Sequence, residues 1–191
     1  MGLSSLGIFH TIIGVGAIIA ALVDFIKYGK INLNKLSGKI YFYGTMITSL
    51  TSLGISKHGG FNPGHVFSIF IIFLVLGAYF LNAKRKNRAR ARYFENFWLS
   101  FSFFLSLVPT VNETFTRIPV RQPLAKDITD PIIGRTLLFL LLLFVIGSVY
   151  QFFRQRLINI LFHNRNRILF LILSIRFLYS RGRISKLLFE C

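Results

Sequence analysis

The stretch GIFHTIIGVGAIIAALVDFIK, residues 7–27, is apolar apart from His10 and Thr11 near its start and Asp24 and Lys27 near its end. A bilayer core takes about 20 such residues as a helix, which satisfies every backbone N–H and C=O within the segment. Runs of similar character follow at residues 38–56, 65–82, 94–112 and 132–152. Hydrophobic residues form 53% of the 191, with a mean hydropathy of +0.61. A water-soluble domain of this length has too little interior to bury them. The expected fold class is therefore all-α: an integral membrane helical bundle with five transmembrane helices. The leading MGLSSL lacks a basic n-region, so the first run is expected to stay as a span rather than be cleaved. Leu6 occupies the place where the myristoylation pattern has a hydroxyl.

Charge gives this array a direction. Lysine and arginine number 23 against 6 acids, a net +17. The loop after the first run carries Lys27, Lys30, Lys35 and Lys39, and residues 84–92 hold Lys84, Arg85, Lys86, Arg88, Arg90 and Arg92. The intervening loops hold Lys57 in one case, and Arg117, Arg121, Lys126 and Arg135 tempered by Glu113, Asp127 and Asp130 in the other. Basic residues beside spans stay in the cytoplasm, which puts the N-terminus outside and the C-terminus inside. The same alternation explains the charge without nucleic acid as a partner. The expected partners are the bilayer itself and anionic lipid at the basic inner loops and tail; the oligomeric state is left open.

Two segments are expected. Residues 1–153 form the five-span domain, and 154–191 form a basic cytoplasmic tail. The tail has eight basic residues, and its apolar stretch 168–179 is interrupted by Arg176. A sixth span would bury that arginine at about 2.5–3.5 kcal/mol, so an amphipathic helix on the lipid surface is expected. Its Ile, Leu, Phe, Asn and Arg bias also suits an out-of-frame extension. No internal repeat is evident, against an inverted-repeat transporter. A single cysteine, Cys191, excludes disulfide frameworks and CxxC motifs. GxSxG, HExxH, Walker A and GxGxxG patterns are all missing, so nothing points to an enzyme of those classes.

At helical spacing His10, Gly14, Ala17, Ala21 and Asp24 share one face, small in the middle and polar at each end. Small residues let a second helix approach, and the second run offers Tyr41, Thr45, Thr48, Ser52 and Ser56. The fourth run offers Glu95, Ser102, Ser106, Pro109 and Glu113, with Pro109 expected to kink or end it and turn Asn112 and Glu113 towards the bundle. The outward ends of the runs thus gather His10, His58, His65, Asn112 and Glu113, with Arg117 following. We take His10, His65, Asn112, Glu113 and Arg117 as the candidate ligand site.

Imidazole and carboxylate together suit a transition metal, and paired imidazoles suit haem. His10, His58 and His65 are the metal candidates, although their spacing matches no specific motif. Three readings stay open: interface hydrogen bonding, a metal or haem site, and a polar-ligand or proton site. Asp24 is the intramembrane acid, expected to pair with Lys27, Lys39 or Arg92, and Glu95 is expected to pair with Arg92. Tyr28, Tyr41, Tyr43, Tyr79, Tyr93 and Trp98 suggest an aromatic belt at the inner boundary.

The segments FHTIIGVGAIIAALVDFIKYGK, KLSGKIYFYGTMITSLTSLGISKHGGFNPGH and VPTVNETFTRIP together resemble a group of small bacterial multi-spanning membrane proteins, domains of unknown function. The resemblance covers about residues 5–152 and runs through His10, Gly38, Tyr41, His58, His65, Glu113, Thr114, Thr116, Arg117 and Pro119. It implies a helical membrane fold and a multi-pass place in a bacterial inner membrane. It implies no activity.

Overall fold

A computed structural model describes residues 5–54, 63–85, 88–117 and 123–189. Among them are five α-helices and no strand: α1 (Ser5–Tyr28), α2 (Leu36–Leu53), α3 (Pro63–Arg85), α4 (Ala89–Arg117) and α5 (Pro131–Phe189). Three of these, α1, α3 and α5, are long and apolar enough to cross a membrane. The other two are more polar for a visible reason. Along α2, Tyr41, Thr45 and Ser49 are buried, and along α4, Glu95, Asn96, Ser100 and Ser102 are buried; their hydrophilic side chains face protein.

Helix ends follow local chemistry. Gly29, at φ 67°, ends α1 in the left-handed conformation and returns its N–H to the Phe25 carbonyl at 2.9 Å. α3 and α5 both open with proline, whose missing N–H is no loss in a first turn. Asp130 caps α5, its carboxylate accepting the Ile132 N–H at 3.1 Å. Pro109 does not end α4, which runs unbroken to Arg117. One absent N–H removes one backbone bond, and the bonds on either side of it suffice to carry the helix on.

α1 packs on α2, α2 on α3, and α3 on α4. Phe103 of α4 meets Phe25 of α1 at 5.2 Å and Tyr41 of α2 at 6.4 Å, which closes the four helices into a bundle. The face anticipated for α1 is the buried one: Ala17, Ala21 and Asp24 are all buried. A Cβ on Gly44 would lie 2.9 Å from Ala17 Cβ, so glycine there sets how closely α1 and α2 approach. Gly77 does the same for α3, because a Cβ would lie 2.2 Å from the Trp98 ring of α4.

α5 adds Phe144 to the rings of Phe97, Phe101 and Phe104, at 5.9, 5.6 and 5.3 Å. Ile133 near its start is buried, while most of its other large apolar side chains are exposed, as are Ile26 and Phe73 elsewhere in the bundle. The chain divides into two compact units, Met1–Gln151 and Phe152–Cys191. Within the second, the helix continues to Phe189, Gln155 bonds Asn159 one turn on at 2.9 Å, and Arg165 lies over the Phe162 ring.

Candidate functional site

The polar side chains of the bundle form two clusters and a link between them. At the end where α1 begins, His10 Nδ1 lies 3.0 Å from the Thr51 hydroxyl of α2. That hydroxyl donates to the Ile47 and Thr48 carbonyls, at 2.9 and 3.0 Å. Either that proton stays with its own helix and the Nδ1–H of His10 donates, or the hydroxyl turns to the ring and Nδ1 accepts, so the imidazole tautomer sets the direction.

Asn112 is half-buried, and its Oδ1 is a buried acceptor with no hydrogen-bond partner among the described residues. Glu113 itself is exposed rather than turned inward, and pairs with Arg117 one turn on at 2.5 Å. Of the two residues that Pro109 was expected to turn inward, Asn112 is half-buried and Glu113 is exposed. His65 is buried in the first turn of α3. Beside it in the chain, Ser68 contacts Ser52 of α2. Both of these hydroxyls are also directed at their own carbonyls, Gly64 and Ser49, so one must release its backbone bond to make the contact.

His58, Ser56 and Arg121 lie outside the described residues. Among the described residues no three His, Cys, Asp or Glu side chains form a group that could hold a metal ion. A protein-only metal centre on His10 and His65 would need ligands from elsewhere.

The middle of the bundle is bridged by Tyr41. It is fully buried, and its hydroxyl lies 2.8 Å from Ser102 of α4. The Ser102 hydroxyl is also 2.8 Å from the Leu99 carbonyl, which takes its proton when the tyrosine is the donor. Tyr41 therefore does not belong to the boundary belt in which sequence grouped it; the partner that draws it inward lies 61 residues away.

The second cluster sits where α1 ends. Asp24 is fully buried and accepts the Asn32 backbone N–H at 2.7 Å and the Ser37 hydroxyl. None of the lysines and arginines expected beside it is within ion-pair distance among the described residues. The acid organises the α1–α2 loop instead. A Cβ on Gly38 would lie 2.1 Å from the Asn32 carbonyl oxygen and 2.9 Å from Asp24 Oδ2, so the glycine is part of the same arrangement. Glu95, expected to pair with Arg92, accepts from Asn82 Nδ2 of α3 at 2.8 Å. Lys30 reaches Asn96 at 3.0 Å.

Gln151 was not anticipated as a site residue. It accepts from Ser100 at 2.9 Å and donates to the Gly29 carbonyl at 3.2 Å. A carboxamide at the end of a Leu- and Phe-rich run is costly in an apolar setting unless it is bonded, and that was the available signal. No family model, curated protein or solved structure matches the chain.

Proposed function

We propose that the chain is a multi-pass membrane protein of five spans, with its N-terminus outside and its C-terminus inside, whose outward-facing cluster binds a small polar ligand or ion. The apolar outer surfaces of α1, α3 and α5 support burial in lipid, and the lysine and arginine distribution supports the orientation. α2 and α4 span as well on this reading, shielded from lipid where their polar faces pack together. The bacterial inner membrane is the address that the resemblance implies.

One observation carries the binding reading. A buried Asn112 oxygen without a partner among the described residues sits on α4, next in the chain to Glu113. Leaving a buried acceptor unsatisfied costs about 1–3 kcal/mol, and a bound donor or cation would recover that. His10, His65, Asn112, Glu113 and Arg117 are the residues proposed to face the ligand. Haem or a metal bridging the histidines is the second chemical version of this site, and absorption spectroscopy with metal analysis of the detergent-purified protein distinguishes it.

A third reading, in which the polar groups only lock helices together, is favoured at the Asp24 end, where Asp24, Glu95, Asn96 and Gln151 all have partners. The two ends separate experimentally. Thermal unfolding of the detergent-purified protein is measured with Na⁺, Zn²⁺, ammonium and inorganic phosphate in turn. A ligand at 100 times its Kd adds about 2.7 kcal/mol, and Asn112→Ala or His10→Ala should abolish the shift. If no probe shifts the unfolding, and each substitution only destabilises the protein, the locking reading holds for the whole bundle.

A further inference from the structure

On the lipid-facing side of the α1–α2 pair lies a groove of about 480 Å³. Gly16, Ala17 and Gly44 line it with small residues, Ile40 and Tyr43 with larger ones, and Lys39 lines it one turn from Leu36. We propose that this groove is a site for one anionic phospholipid of the inner leaflet, with an acyl chain along the small-residue lining and the headgroup phosphate at Lys39. The inference rests on the membrane orientation proposed above.

Three features select this occupant. The groove is apolar except at Lys39, which matches a molecule with a long apolar part and a charged tip. From Leu36 to Gly44 it extends along α2 for about 12 Å at 1.5 Å per residue, close to the roughly 15 Å depth of one leaflet. Lys39 is exposed, and among the described residues its ammonium has no acidic partner; in the proposed orientation it stands on the side where anionic lipid is concentrated. Lys35, by contrast, lies over the Tyr28 ring and outside the groove.

The lining also supplies a clean variant. A Cβ on Gly16 would meet nothing within 4 Å, so a side chain there fills the groove without disturbing the bundle. Gly44 is unsuitable, because its Cβ would collide with Ala17.

The full chain, purified in detergent, is incubated with dioleoyl phosphatidylglycerol or dioleoyl phosphatidylcholine, and retained lipid is counted by native mass spectrometry. One phosphatidylglycerol should be retained in preference to phosphatidylcholine. Lys39→Gln should weaken phosphatidylglycerol binding about fivefold, the effect of one lysine near an anionic surface, while Lys35→Gln leaves it unchanged. Gly16→Leu should abolish retention and Gly16→Ala should weaken it, with circular dichroism showing the helix content intact.

Equal losses in Lys35→Gln and Lys39→Gln would indicate diffuse surface charge and overturn the site. So would retention by Gly16→Leu, or equal binding of the two lipids. A lipid-free dimer that dissociates on Gly16→Leu would seat a second copy in the groove, with the same consequence. Failure of the underlying membrane reading is seen separately, as a chain that stays dissolved without detergent before any lipid is added.

Discussion

Single residues inside this bundle are constrained by hydrogen-bond satisfaction more than by charge pairing. Asp24 has two donors and no cation among the described residues. Asp24→Ala should therefore destabilise the protein by about 1–3 kcal/mol, the cost of stranding buried donors, and Asp24→Asn by less, since a carboxamide oxygen still accepts. Denaturant titration in detergent reads both. Tyr41→Phe should cost about 1 kcal/mol, because Ser102 keeps its bond to the Leu99 carbonyl.

In the loop before α5, the Thr129 side-chain O–H and backbone N–H hold the Asp127 carboxyl below its ordinary range. A depressed folded value means that the contribution exists above the unfolded carboxyl range and disappears as pH falls through the folded one. The protection of the Thr129 amide, its exchange rate relative to the intrinsic rate at the same pH, should fall over that acidic interval and stay constant above it.

The helices show which parts of the structure were legible in the chain. The buried face of α1 was readable from its 3.6-residue spacing, because Gly14, Ala17, Ala21 and Asp24 are local in sequence. The burial of Tyr41 was not, since it depends on Ser102 of another helix; the same holds for Glu95, whose partner Asn82 precedes it on α3 rather than lying in its own turn. At the site, His10 was visible as an ionisable group in an apolar run, whereas its Thr51 partner fell outside the second-run face picked out by spacing. Gln151 was hidden by the Leu and Phe around it.

Helix contacts give a prediction of their own. Gly77→Ala forces a methyl into the Trp98 ring and should separate α3 from α4, costing about 1–3 kcal/mol as overpacking does. Gly16→Ala, facing open space, should not destabilise and should gain about 0.5–1 kcal/mol from helix propensity. Comparing the two by thermal melting in one detergent isolates contact from composition.

For the molecule as a whole, the orientation is the property most easily tested. Single cysteines placed in a Cys191→Ser background should react with an impermeant maleimide from outside at Thr114 or Thr129, and only after permeabilisation at Arg88 or Arg90. Reversed labelling would invert the proposed topology and move the His10 cluster to the cytoplasmic face. The hydroxyl groups of the bundle add a further consequence. Thr48, Thr51, Ser102, Ser106 and Thr110 each donate their only proton to a carbonyl of their own helix. While those bonds hold, they present only oxygen lone pairs towards their neighbours, so this hydrophilic seam has an electronegative lining. A partner on a neighbouring helix must therefore bring its own proton, as a phenol, an imidazole N–H or a carboxamide does.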